Sequence, residues 1–505
     1  MFKDPFYKQA AKMFWLILGV MVAAKFGGMA VGFAIVVVGV WSSLTRKPAW
    51  ALMCFAMMPL MVVMNPMIFG IRGMSMPARL GIPCMTMAMV ISASSRPGRQ
   101  MLPLGAMFFY IVAAAISSIN GYAPLISYLK LFSYSFFVMG IYMGTKNIDR
   151  RPQDLVNLRA FLFAFATLII LGSFALNYLR PAAAHYSAHG WEIAHAGYAE
   201  YERNAELTLQ VGGDLGFFCG ITNHSQCMGP LGVCLMGWVL CDMLFLEKRV
   251  KGGHMLLVAI CPILIYWTKS RTALLAMMVL LFSIFVYCIP QYKISPALKR
   301  RIRSVFMGFL AMMFVAAVVM ECTSHSISSW MMKYDTTGRG REGEVTMQGL
   351  ASTRMGLIAQ SMYDFERNPL FGSGFQVSYQ MQSLAEKGEL VLSAPIEKGF
   401  MPAMVLGETG VFGAIAFIVF LIAFYSGCRA RKYFVTGTLF GVFLATNLGE
   451  ATFFAPGGIA GPVWVIMLIG GFVIDISCQH NRRAEQMMGG YPPPMMYGYP
   501  PPAWR

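Results

Sequence analysis

The stretch Thr272-Ala-Leu-Leu-Ala-Met-Met-Val-Leu-Leu-Phe-Ser-Ile-Phe-Val-Tyr-Cys-Ile-Pro290 carries no charge from end to end. It has close to the ~20 residues that an α-helix needs to cross ~30 Å of hydrocarbon. Comparable apolar windows recur at about 12–24, 27–43, 49–69, 80–95, 101–119, 123–145, 155–179, 227–247, 254–268, 303–322, 400–425, 433–449 and 459–477. Of the 505 residues 57% are hydrophobic and only 12% are charged, about half the charged share of an average soluble domain. A membrane β-barrel would instead show short alternating segments. The pattern predicts an all-α, polytopic integral membrane protein of about 12–14 transmembrane helices with a large helical extracytoplasmic loop.

The formal charge of +17 is distributed in a way that argues for orientation in a bilayer rather than for nucleic acid. No basic run is interleaved with aromatic residues of the kind that stack on single strands. With the N-terminus inside, the clusters Arg46-Lys47, Arg96 with Arg99, Lys146 with Arg150-Arg151, Lys248-Arg249-Val250-Lys251, Lys299-Arg300-Arg301 and Arg429 with Arg431-Lys432 all fall on one side, as does Arg482-Arg483. That is the positive-inside bias, and it predicts that both termini are cytoplasmic. The cysteines form no CxxC pair, and most sit inside apolar runs, where they act as small hydrophobes.

On the opposite side the pattern leaves two long loops, about 180–226 and 323–399. In the second, Met355, Ile358, Met362 and Phe365 recur with helical spacing, which predicts a helix packed at the membrane surface. The domain organisation expected is one polytopic unit over 1–478 and a Pro/Tyr-rich cytoplasmic tail over 479–505, whose prolines favour extended polyproline II segments. His185, His189 and His195 in the first loop are too irregularly spaced to suggest a metal site, and neither a metal nor another cofactor is implied.

Cations on the outer face run against the orientation bias, so each needs a partner or a task. Arg271 stands in Thr268-Lys-Ser-Arg-Thr272, between two spans with almost no loop. A charge placed deep in hydrocarbon costs up to about 2.5–3.5 kcal/mol. Arg354 lies on the surface helix, and Arg72 and Arg79 flank a short outer loop. Arginines converging on one face suit a phosphate or diphosphate, whose paired oxygens match the guanidinium fork. The plainer alternative is that they reach toward lipid headgroups or pair locally. His224, in Asn223-His-Ser-Gln226 at the mouth of a span, is a candidate base, although an interfacial histidine is more often structural. Within the spans Lys130 is the main charged exception.

Three motifs occur in order: Thr268-Lys-Ser-Arg-Thr272 at a span junction, Arg354 ahead of Asn368-Pro-Leu-Phe-Gly-Ser-Gly-Phe375, and Glu408-Thr-Gly-Val-Phe-Gly413 in the following span. Together they resemble the bacterial O-antigen ligase and repeat-unit polymerase superfamily, over roughly 200–475 by motif. The resemblance implies a metal-independent membrane glycosyltransferase of cell-surface polysaccharide biosynthesis, placed in the cytoplasmic (inner) membrane. Its donor would be a polyprenyl diphosphate-linked glycan and its acceptor a glycan or glycolipid hydroxyl. Arg271 and Arg354 would hold the diphosphate, with Arg72, Arg79 and Lys398 assisting. Family ligases carry a His-Asn pair that falls on Gly399-Phe400 here, so the histidine is missing. The neighbouring Glu397 is a substitute base if it lies within hydrogen-bond reach of the acceptor hydroxyl. The competing reading is a transporter or lipid-glycan flippase, which would place polar groups at mid-membrane and often shows related halves.

Overall fold

The computed structural model describes residues 4–69, 74–94, 102–146, 148, 152–185, 218–292, 300, 304, 358–378, 399–449, 451–456 and 460–487. Among them regular structure is helical throughout, apart from one isolated antiparallel bridge between Met64 and Thr222. The first group of helices is α1 (Pro5–Gly27), α2 (Met29–Leu44), α3 (Pro48–Val62), α4 (Ser75–Ser94), α5 (Met107–Ile119), α6 (Pro124–Lys146) and α7 (Pro152–Leu179). The second begins with α8 (Ser225–Cys241), continued by the π-helical turn Asp242–Glu247. It goes on with α9 (Gly252–Trp267) and α10 (Arg271–Ser283), the latter extended through Ile284–Cys288 to Gln291. Then come α11 (358–367), α12 (Met401–Arg431), α13 (Phe434–Thr446) and α14, which starts at Gly461–Trp464 and runs through Val465–Gly470 into Gly471–Met487.

Among the described residues eight helices are long and apolar enough to cross a membrane, and α2, α3, α5, α9 and α13 are shorter apolar helices between them. These match the windows read from the sequence, except that 303–322 lies outside the described residues. The protein is thus a multi-pass membrane protein. Boundaries moved where polar chemistry overrides hydropathy. α1 begins at Pro5, not near 12, because the Asp4 carboxylate accepts from Phe6 N–H at 3.0 Å and proline occupies the first helical position. α1 and α2 are two elements rather than one broken span: α1 packs mainly on α7, and α2 on α3 and α4. α14 runs on to Met487, past the expected boundary at 478. The rest of the tail lies outside the described residues.

Polar ties gather at two ends of the bundle. At one, Lys251 Nζ pairs with Asp4 at 2.7 Å, Cys478 Sγ meets the Phe245 carbonyl, Arg482 donates to Gln291 O at 3.2 Å, and Gln479 donates to Arg431 O at 2.8 Å. This collects the basic segments 248–251, 429–432 and 482–483 at one end. At the other, Asn223 N–H donates to Val63 O at 2.8 Å, and Asn65 Nδ2 donates to the Ala183 and Gly220 carbonyls at 2.8 Å.

Lys130 is not the main charge inside the helices. Arg159 on α7 donates from Nε to Asp242 Oδ1 at 2.5 Å and from Nη2 to Asp242 Oδ2 at 2.7 Å and Glu247 Oε1 at 2.5 Å. His254 Nε2 lies 2.8 Å from Asp242 Oδ2, and its Nδ1 lies 2.9 Å from the Tyr7 hydroxyl. The Arg159 guanidinium also stacks 4.1 Å above the Phe6 ring. All five charged or titratable members are buried, so the network joins α1, α7, α8 and α9 through polar side chains as well as through apolar area. Asp475 on α14 is buried too. It accepts from Tyr292 Oη at 2.5 Å, Val435 N–H at 3.1 Å, and Thr436 N–H and Oγ1 at 2.9 and 2.7 Å, which caps the start of α13.

Candidate functional site

The feature that organises the other end is a break inside α12. Gly410 takes φ 61°, ψ −166° in the middle of a helix, which frees backbone groups on both sides of it. In a membrane such groups must find partners within the protein, because water is absent and each unsatisfied one costs several kcal/mol. The segment 368–378 supplies them. Val411 N–H donates to Pro369 O at 2.8 Å and Phe412 N–H to Leu370 O at 3.2 Å. In the other direction Ser373 N–H donates to Gly407 O at 2.8 Å and Gly374 N–H to Glu408 O at 2.9 Å. A side chain at Gly410 would collide with the Leu370 carbonyl, and one at Gly372 (φ +70°) would come within 2.5 Å of the Glu408 backbone. Two of the three sequence motifs are therefore halves of one backbone interlock, with glycine where the chains touch.

The local sequence prepares this. Pro369 disfavours helical backbone at Asn368, so α11 stops there. The Asn368 side chain then accepts from Phe371 N–H at 3.3 Å, and its carbonyl accepts from Gly372 N–H at 2.7 Å. The far side of the segment is held by α5 and α6. Tyr122 N–H donates to Ser373 O at 2.9 Å, Ser127 Oγ donates to Phe375 O at 3.0 Å, and Ser118 Oγ accepts from Phe375 N–H at 3.3 Å. Ser117 Oγ donates to Thr409 O at 3.2 Å, next to the break itself. Phe375 is fully buried against Tyr134 and Phe454.

Arg271 is the first residue of α10, after a tight link from α9 in which Lys269 has φ 51°. Ser270 caps the helix by accepting from Ala273 N–H at 3.3 Å. Arg271 itself is half-buried. Its neighbour Thr272 packs directly on Gly449, in the loop after α13. Asn447 shapes that loop. Its Oδ1 accepts from Thr452 N–H at 2.8 Å and Phe453 N–H at 2.7 Å, while its carbonyl accepts from Met401 N–H at 3.1 Å. The turn bearing Arg271 and the head of α12 thus rest on the same loop. Glu397 and Lys398, immediately before that head, lie outside the described residues, as do Arg354 and Arg72.

His224 is also at this end, since Gly229 one turn further along α8 lies against Thr268, Ser270 and Ala273. It is the N-cap of α8: Nδ1 accepts from Gln226 N–H at 3.1 Å. With Nδ1 accepting, the neutral ring carries its proton on Nε2, and taking up a second proton would break the cap. Arg79 is exposed on α4, which packs on α2, α3 and α6, whereas α10 packs on α8, α9 and α13. Arg79 and Arg271 thus stand on helices with different main neighbours. His185 meets Asn177 at 3.0 Å, and His189 and His195 lie outside the described residues.

Residues 256–418 match the family model for O-antigen ligase. The matched segment begins in α9, contains Arg271 and the 368–378 segment, and ends just beyond the α12 break. The superfamily resemblance carried by the three motifs is borne out, and it supports a glycan-transferring membrane protein of the O-antigen ligase or polymerase type. No curated protein matches the chain. Reading motifs missed Asn447 and the serines of α5 and α6. Single Asn and Ser residues in apolar helices give no periodic signal, and only the backbone they bind reveals what they do.

Proposed function

We propose that this protein transfers a glycan from a polyprenyl diphosphate carrier to an acceptor sugar hydroxyl at the outer face of the cytoplasmic membrane. The observation that carries the reading is the convergence of the ligase-type motifs on one end of the bundle, opposite the basic segments, with Arg271 opening a helix there. Arg271 and Arg354 grip the diphosphate. As the bond from the anomeric carbon to the carrier oxygen breaks, that oxygen gains charge, and fixed guanidinium groups stabilise it. The acceptor hydroxyl attacks the anomeric carbon from the opposite side, with inversion, and gives its proton to Glu397. Glu397 is preferred to His224 because the capping bond already occupies the lone pair of His224. Lys398, next to the base in sequence, and Arg72 assist in holding the diphosphate. Arg79, apart from α10, is left to the membrane surface.

The test is incubation of the purified protein, in a lipid bilayer, with polyprenyl diphosphate-linked glycan and an acceptor glycan, followed by chain-length analysis. A ladder of products identifies a polymerase and a single adduct a ligase. Absence of any turnover would sink the reading and favour the flippase alternative.

A further inference from the structure

Among the described residues five non-glycines have positive φ. Arg46, Lys248, Lys269 and Lys432 each close the C-terminal end of a helix, where left-handed backbone is an ordinary cap. Gln376, with φ 53°, does not. It is the third residue of a turn closed by Val377 N–H to Gly374 O at 3.2 Å, a position at which positive φ normally selects glycine. A glutamine held there against its backbone preference points to a task for its side chain.

That side chain donates from Nε2 to the Phe454 carbonyl, in the loop after α13. The Gln376 carbonyl in turn accepts from Lys130 Nζ at 2.9 Å. Lys130 is a cation within a membrane-spanning helix, where a charge is disfavoured unless it has a partner or a role. Ser127, three residues earlier on the same face of α6, holds the preceding carbonyl, that of Phe375. A continuous line of bonds therefore runs from α6 through the interlocked segment to the loop on which Thr272 and Met401 rest.

We propose that Lys130 and Gln376 are positioning residues for glycan transfer. They form a strut that holds the loop after α13, and through it the Arg271 turn and the head of α12, in the geometry the reaction needs. Neither side chain touches substrate. The inference rests on the transfer reaction proposed above and adds the residues that set its alignment.

The decisive variant is Gln376→Gly, which relieves the turn and removes only the side-chain bond to Phe454. A purely structural role predicts unchanged or improved thermal stability with unchanged transfer. The strut predicts that stability is kept while kcat falls about tenfold or more, because small misplacements of catalytic groups are costly in rate. KM for the lipid-linked donor stays within about twofold, since the cations that bind it remain in the protein. Lys130→Met should show the same split, with Lys130→Arg restoring most of the rate by keeping a donor to the Gln376 carbonyl. Wild-type kcat in Gln376→Gly overturns the proposal, as does a rate loss that merely tracks unfolded protein. Hydrogen exchange at residues 451–454, measured on the same full-length samples, separates this idea from the reaction itself. If the wild type does not transfer glycan, the function reading fails, yet faster exchange at 451–454 in Gln376→Gly still upholds the strut and unchanged exchange overturns it.

Discussion

The two ends of this bundle are held by different chemistry. At the end that collects the basic segments, helices are joined by charged and polar side chains: Arg159 bridges Asp242 and Glu247, His254 links Asp242 to Tyr7, and Lys251 reaches both Asp4 and Glu247. At the other end the joint is made by main-chain amides, with the 368–378 segment docked on the open turn at Gly410 and serine hydroxyls filling in. A buried ion network tolerates little loss, because removing one member leaves an uncompensated charge in a low-dielectric interior. A backbone interlock is insensitive to most side-chain changes and intolerant of a Cβ where the chains meet.

That contrast can be attacked directly. Arg159→Ala should be the most damaging to the fold, since it removes the guanidinium shared by the Asp242 and Glu247 carboxylates and leaves them only His254 and Lys251; the expected destabilisation is about 3–5 kcal/mol, measured by thermal unfolding in detergent. A protein of unchanged stability would show that the ion network is ornamental. Arg271→Ala should do the reverse, cutting transfer by about 10²–10³-fold, as loss of a preorganised charge-stabilising group does, with the unfolding midpoint unmoved. Full transfer would remove Arg271 from the site. Gly410→Ala should cost about 1–3 kcal/mol through strain at positive φ, and more if the collision with Leu370 undocks the segment. Faster hydrogen exchange confined to 368–378 and 405–413 would be its signature, whereas a uniform change would argue against a local interlock. Tyr7→Phe removes one hydroxyl from the His254 ring and should lower stability by only about 1 kcal/mol. A larger loss would mean that the network depends on α1 more than its ion pairs suggest.

Much of the helical layout was readable in advance, because crossing hydrocarbon imposes a length and an apolar composition that any window can be tested for. The candidate site was readable in outline only. Arg271 stood out because a cation at a near-loopless junction is expensive, and the glycine-rich motifs stood out by their order. Lys130 stood out as well, but its partner did not: the Gln376 carbonyl is 246 residues away along the chain. The Arg159–Asp242 pair and the Tyr7–His254 pair, 83 and 247 residues apart, were likewise invisible. Each of those residues reads alone as an unremarkable polar interruption near the end of an apolar run.

The sequence by itself determined that this chain is a multi-span helical membrane protein whose motifs resemble the O-antigen ligase and polymerase superfamily, since hydropathy and short motifs are sums over neighbouring residues. Only the tertiary structure decided that Asn368–Phe375 and Glu408–Gly413 are two faces of one joint, and that His224 is committed to a helix cap. Those outcomes depend on which backbone amides and carbonyls meet across the bundle. Every residue but proline carries the same N–H and carbonyl, so that choice leaves little mark in the order of side chains.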